Sequence, residues 1–413
     1  MGINPKQILI ATGSFKDVFS PSEACKELKL AIQESFPMAK INVIPIVDGG
    51  EYSLGTIVDY LKLKKVAVEK TLGPDLSLRT KYYANLGIDK YYISSSSVMK
   101  LDVKNIDQGN PLELTSFGLG QLINDAIDKG AKDIFIGLGG TSTVDAGLGM
   151  LQALGALFFD EEYNLINGDG IIMSGCDMQR VKYMDLSIPV EKCSKIKFHA
   201  LCDGSPSINQ MDIPIRQKIG KKLEDKDQIF EALWQGIQEM CNVFKEPIRN
   251  MSSHNFKEKL SDAPYYGAAG GTLFSILAIT PAKVSLGFDY FSEWFKLHSK
   301  IKQADLIVTG EGKFDNSLFG KTPIGIAKVA LSYNKKLVYI AGTVESVKQI
   351  NEYLVSPVPQ ELKEVGVSYF LVCNNHYRNK ELPSLYGPLV NYLKRESKVA
   401  FRNAFKEFSE TIY

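Results

Sequence analysis

Short apolar runs rich in β-branched residues alternate along the chain with longer stretches in which apolar positions recur every three or four residues. Gln7-Ile-Leu-Ile-Ala11 has the length and content of a buried strand, and Ser22 to Phe36 behind it reads as helix. Ser20-Pro21 is a helix-entry signal: proline fits the first turn, and a serine oxygen can accept from free backbone N–H groups. Ile41 to Val47 predicts a second strand ending in the turn Asp48-Gly49-Gly50-Glu51. Asp133 to Gly137 and Ala304 to Thr309 predict two more buried strands, each running into a glycine-rich loop; Lys336 to Ala341 and Val367 to Val372 follow, with helical segments between. Strands separated by helices indicate βαβ units and a largely parallel sheet. The texture changes from about Val66 to Leu286. Turn residues and the pairs Tyr82-Tyr83 and Tyr91-Tyr92 predict antiparallel strands over Val66 to Ser96. The pattern from Tyr386 onward, with Leu389, Val390, Leu393, Val399, Phe401 and Phe405, predicts a basic amphipathic helix packed on its own sheet.

A chain of 413 residues exceeds the size at which one core usually stops growing, so two domains are expected. We place one α/β domain over residues 1–65 and 287–413, with a second domain, 66–286, inserted between its halves. Forty-eight basic against 47 acidic residues give a net charge of +1, without the basic excess of a nucleic-acid binder, and point to a small-molecule partner. The six cysteines are scattered with no zinc spacing, as expected of reduced thiols in a reducing compartment. No apolar run reaches the ~18 residues of a spanning helix, and the first seven residues lack a signal-peptide core. The expectation is a cytoplasmic protein with no membrane partner, for which a homodimer is an allowed assembly. The four histidines share no metal-ligand spacing and read as structural or exposed.

Ligands of open α/β sheets bind at the carboxyl ends of the strands, which directs attention to four loops. In Ser14-Phe15-Lys16-Asp17 the lysine suits neutralisation of a phosphate or a carboxylate, though by itself the tetrapeptide reads first as an ordinary exposed turn. In the second loop, Asp48 and Glu51 flank two glycines that let backbone approach a ligand; such a pair suits Mg²⁺ or activation of an attacking hydroxyl. Gly137-Leu-Gly-Gly-Thr-Ser-Thr-Val-Asp-Ala-Gly-Leu-Gly149 opens a helix, so Gly139, Gly140, Thr141 and Ser142 are candidates for a phosphate at a helix start. It is neither the P-loop nor the dinucleotide fingerprint. In Val308-Thr-Gly-Glu-Gly-Lys-Phe-Asp315 and Phe319-Gly-Lys-Thr-Pro-Ile324, the acids Glu311 and Asp315 with Lys313 and Lys321 suit a metal–nucleotide site. Ala200-Leu-Cys-Asp203 and Gly267-Ala-Ala-Gly270-Gly271 are weaker; the latter suits an anion loop or a tightly packed helix start.

Taken in order, these segments resemble the bacterial type I glycerate kinase family: Ile8 to Lys16, Val47 to Glu51, Gly137 to Ala156, Cys202-Asp203, Gly267 to Gly271, Thr309-Gly-Glu-Gly312 and Gly320-Lys-Thr-Pro323. The resemblance implies a Rossmann/flavodoxin-like parallel-sheet domain with a second, mixed α/β domain inserted. It also implies ATP- and Mg²⁺-dependent phosphorylation of a hydroxyl of glycerate or a related small hydroxy acid. Carried over, it makes Lys16, Asp48 and Asp145 catalytic candidates. Gly139, Gly140, Thr141, Ser142, Gly270, Gly271 and Lys321 become candidates for the nucleotide, Ser14, Glu51 and Asp203 for the acid, and Glu311 and Asp315 for the metal. Asp17, Tyr52, Val144 and Ala146 stand where the family usually has Gly, Gly, Asn and Gly. That pattern suits a kept phosphate and metal site with an altered acceptor pocket. It leaves open a non-catalytic paralogue that binds a metabolite or protein, or a kinase for another acceptor in a dedicated biosynthetic pathway.

Overall fold

The computed structural model describes residues 5–15, 18–204, 206–251, 259–314, 322–344, 354–356, 358–372 and 388–412. The strands in chain order are β1 (Gln7–Thr12), β2 (Lys40–Pro45), β3 (Lys64–Leu72), β4 (Leu78–Gly87), β5 (Lys90–Ser94), β6 (Asp133–Leu138), β7 (Leu157–Phe159), β8 (Tyr183–Asp185), β9 (Lys197–Cys202), β10 (Lys283–Leu286), β11 (Leu306–Phe314), β12 (Lys336–Val344), β13 (Leu354–Ser356) and β14 (Tyr369–Val372). The chain forms two compact units, Met1–Val47 with Asp59–Leu61 and Phe288–Tyr413, and Asp48–Val58 with Lys62–Gly287.

The first unit holds a sheet of order β13-β14-β12-β11-β1-β2, parallel except for the antiparallel edge strand β13. Such strands, covered on both faces, read as continuous apolar runs, and Ile8, Leu9, Ile10, Leu306, Ile307, Val308, Val338 and Ile340 are buried accordingly. The helix Pro21–Ser35 starts as its sequence predicts: the Ser20 hydroxyl accepts from the Glu23 N–H at 3.3 Å, and the Glu23 carboxylate accepts from the Ser20 N–H at 2.9 Å. Its apolar stripe, Ala24, Cys25, Leu28, Ala31 and Ile32, packs into the core of this unit with the C-terminal helix Pro388–Ile412. That helix buries Ala400, Phe401, Ala404, Phe405 and Phe408, with Phe401 edge-on to Phe15 at 5.2 Å. Val399, expected on the apolar face, is 44% exposed, because its neighbours Ala400 and Phe401 take that face instead. The side chains of Leu389, Val390 and Leu393 lie outside the described ones.

The second unit is mixed, with strand order β10-β9-β6-β5-β4-β3. The first four strands run parallel, while β5-β4-β3 form the antiparallel part expected over 66–96. Its core includes Ile134, Ile136, Leu138, Leu148, Leu151, Phe158, Phe198, Leu233 and the stacked pair Phe244 and Phe274. The division between units differs from the 65/66 boundary read from the sequence: Asp48–Val58 goes with the second unit. The physical reason is the loop 48–51, whose glycine backbone lies directly on Leu201 and Asp203.

Candidate active site

In the second unit the sheet register brings several strand ends to one edge. Ser94 lies beside Gly137, Leu138 beside Cys202, and Cys202 beside Leu286, so the segments that follow leave the sheet together. Asp203 is tied there by its N–H, which donates to the Leu138 carbonyl at 3.2 Å, and the Ser95 N–H donates to the Gly137 carbonyl at 2.9 Å. The Ser96 hydroxyl reaches across to the Gly50 carbonyl at 3.3 Å.

Glycine is what permits this convergence. A Cβ on Gly139 would stand 2.1 Å from Oδ2 of Asp203, and one on Gly49, at φ +100°, 2.6 Å from the Leu201 carbonyl oxygen. A Cβ on Gly50 would come within 3.0 Å of the same Asp203 oxygen. Gly140, at φ +62°, faces the backbone nitrogen of Glu51. Three of the predicted loops, 48–51, 137–143 and 202–203, thus meet with backbone-to-carboxylate closeness.

Charge is distributed unevenly over this edge. Asp48 is half-buried, and its Oδ1 accepts from the Gly50 N–H at 3.0 Å. Glu51 is exposed and pairs with Lys100 at 2.5 Å. The Ser142 hydroxyl accepts from the Leu101 N–H at 3.0 Å. Thr141 accepts, at 3.1 Å, from a residue that carries no motif: Lys218, at the end of the helix Asp212–Lys218, which also donates to the Thr143 carbonyl at 2.9 Å. Burial pushes the Lys218 ammonium down from its ordinary 10.5 to about 8, opposed by the attraction of Asp203 and Asp145. The signal for Lys218 lay in its spacing from Ile215: residues three apart share a helix face, and Ile215 is in the core.

Three of the candidate positions have their partners within the protein. Asp145 is fully buried and surrounded by donors: the Ser116 N–H at 2.8 Å, the Ser116 hydroxyl at 2.6 Å, and the N–H groups of Gly147 at 3.1 Å and Gly149 at 3.3 Å. Desolvation raises its pKa, and these donors pull it back. It therefore fastens the turn into the helix Leu148–Leu154 through both carboxylate oxygens. The phosphate site expected at that helix start is also filled from within, since Met150 N–H donates to the Ser116 hydroxyl at 2.9 Å and Leu148 N–H to the Asp145 carbonyl at 2.9 Å. Gly270 and Gly271, expected at the nucleotide, are buried and pack on residues 143–146: a Cβ on Gly270 would stand 2.1 Å from the Thr143 carbonyl oxygen, and the Gly270 carbonyl accepts from Ala146 N–H at 3.1 Å. This is the close-packing reading of that motif.

In the first unit the strand order reverses between β1 and β11, which is where an open parallel sheet leaves a crevice at its carboxyl edge. Thr12 at the end of β1 donates through its hydroxyl to the Gly310 carbonyl at 2.8 Å. Ser14 follows, partly exposed. Glu311 on β11 is buried and accepts from the Tyr339 hydroxyl. Lys16, Asp315 and Lys321 lie outside the described residues. Among the described residues no group of three or more His, Cys, Asp or Glu side chains could hold a metal. Mg²⁺ needs no such cage: one or two carboxylates plus phosphate oxygens suffice, and the hard oxygen donor of Glu311 within β11 fits it. His199 stacks on Phe135 at 4.3 Å beside Asp133, a structural setting.

Comparison with known proteins bears on what this arrangement does. The family model described as the glycerate kinase family matches residues 8–360. A glycerate kinase of Bacillus cereus is 30% identical over 349 residues, 82% of this chain and 85% of that protein. The glycerate 2-kinase of Escherichia coli K12 is 29% identical over 369 residues, 87% of this chain and 91% of that protein. A solved structure from Salmonella typhimurium LT2, provisionally named glycerate kinase 2, has a TM-score of 0.70 at 24% identity, covering 98% of this chain and 97% of that one, and shows the shared fold. With a family model running over most of its length, and relatives aligned over more than four-fifths of it, the chain belongs to the glycerate kinase family.

Proposed function

We propose that this chain transfers the terminal phosphoryl group of ATP to a hydroxyl of glycerate or a closely related small hydroxy acid. It is a phosphotransferase with an alcohol acceptor, as its family membership implies. The observation that carries the site assignment is the meeting of loops 48–51 and 137–143 with Asp203 at one sheet edge, where glycines bring backbone against the Asp203 carboxylate and the Leu201 carbonyl. Phosphoryl transfer leaves little covalent work to the protein: it is governed by positioning and by neutralising charge on the transferred group. Asp48, held by the Gly50 N–H, orients the acceptor hydroxyl and receives its proton as the new O–P bond forms and ADP departs. Asp203 and the backbone of Gly139 and Gly140 line the acceptor side, and Thr141 supplies a hydroxyl. In the first unit, Ser14 and Lys16 follow β1, and Glu311 with Asp315 is assigned to Mg²⁺. That ion would supply charge neutralisation on the phosphate oxygens. Lys321, a point charge of the kind that binds phosphate, is assigned to the nucleotide. The reading places the protein in the cytoplasm; no helix among the described residues is long and apolar enough to cross a membrane.

The test is a coupled assay of ADP release with Mg-ATP and a panel of hydroxy acids. Glycerate or a near relative should be turned over, and Asp48→Asn should lower kcat by on the order of 10²–10⁴, the range for loss of a general base. Turnover of no acid in the panel, together with unchanged nucleotide binding by Asp48→Asn, defeats the reading. The E. coli relative's name directs the product analysis to the 2-hydroxyl first.

A further inference from the structure

A lysine at this edge, on a helix outside the converging loops, has no part in the transfer chemistry so far. Lys218 closes the helix Asp212–Lys218, where a cation is favoured by the helix dipole. Two of its three N–H donors are used among the described residues, on the Thr141 hydroxyl and the Thr143 carbonyl. Both acceptors belong to the loop that leaves β6 beside Asp203. The Thr143 hydroxyl in the same loop is fully buried and has no hydrogen-bond partner among the described residues. Two carboxylates act on the ammonium, Asp203 from the end of β9 and Asp145 from the turn behind the loop. Asp145 is already engaged by Ser116, Gly147 and Gly149, so its charge is spread over those donors. A lysine head group held in this partly buried place, with its partners in a buried loop, costs stability unless something compensates it. A ligand with negative charge at the edge beside Thr141 would do so.

We propose that Lys218 is an anion-binding residue of the transfer site, its ammonium anchored on Thr141 and Thr143 and its remaining donor directed to an anionic oxygen of the bound reactants. The inference rests on the transferase reading. The oxygen belongs either to the carboxylate of the acid or to the phosphoryl group in transit, and kinetics separate the two. Lys218→Met should lower kcat/KM roughly ten- to a hundred-fold, the scale of a charged hydrogen bond. A carboxylate contact appears as a raised KM for the acid with the KM for ATP unchanged. A phosphoryl contact appears as a lowered kcat with both KM values near wild type. A second variant guards against misfolding: Lys218→Arg keeps the charge. In the wild type the alkaline limb of kcat/KM should fall near pH 8, and the arginine variant should move it above about pH 10. A lysine that only braces the loop would leave that limb where it was. Wild-type kcat/KM in Lys218→Met, or an unmoved limb in Lys218→Arg, overturns the proposal. Should the wild type phosphorylate no acid, the transferase reading fails by itself, and calorimetry with glycerate and with ATP judges Lys218: binding lost in Lys218→Met supports it, while equal binding or none overturns it.

Discussion

Lys218, at a helix end, and Asp145, in the loop it braces, show how two charges withdrawn from water to different degrees divide their work. Lys218 has its folded pKa depressed to about 8 below an ordinary value of 10.5, so between those pH values the unfolded chain binds the additional proton. Stability contributed by this residue is therefore lowest at neutral pH and rises as pH climbs from about 8 towards 10.5. Denaturant unfolding of wild type against Lys218→Met should show the wild type gaining over that window and levelling off above it. Asp145 carries a different expectation, because four hydrogen-bond donors share its carboxylate. Asp145→Ala should cost about 3 kcal/mol or more, read as a lowered unfolding midpoint, since several buried N–H groups and one hydroxyl lose their partner together. Gly139→Ala separates site geometry from stability: a methyl placed 2.1 Å from the Asp203 carboxylate must push it aside. Activity should fall at least about tenfold, on the scale of a misplaced contact, while thermal stability changes far less.

At the scale of elements, the C-terminal helix Pro388–Ile412 illustrates what an apolar pattern can and cannot tell. Its spacing announces a helix with one buried stripe, and Phe401, Phe405 and Phe408 fulfil that in the core of the first unit. Phe405→Ala should destabilise this unit by about 3–5 kcal/mol, the usual cost of an emptied phenylalanine site, measurable by denaturant unfolding. Val399 broke the pattern because the stripe drifts around a 3.6-residue helix, and only packing decides which flank stays dry. The loop into Leu148–Leu154 is the complementary case. Its glycines and hydroxyls look like a phosphate cradle, yet the side chains of Asp145 and Ser116 occupy the helix start. Ser116 lies 29 residues from Asp145 along the chain, so no local motif could reveal that it caps the turn.

Over the whole molecule, two cores serve two units, one built around a nearly parallel sheet and one around a mixed sheet. Scanning calorimetry should depart from a single two-state transition, with Phe405→Ala shifting one component and Asp145→Ala the other. Strands β1, β2, β6, β11, β12 and β14, the largely parallel first sheet, the antiparallel pairing over 66–96 and the family were legible from the sequence, because each depends on local periodicity or on ordered glycine and carboxylate motifs; β7, β8, β9, β10 and β13 were not. Asp48, Glu51, Gly139, Gly140 and Asp203 were legible too, as members of glycine- and acid-bearing loops. Tertiary structure alone decided three things: that the 48–51 loop joins the second unit, that Asp145 is an internal fastening, and that Lys218 stands beside Thr141. Each of these depends on contacts between residues distant in the chain, and neither spacing nor composition records which distant group a side chain will meet.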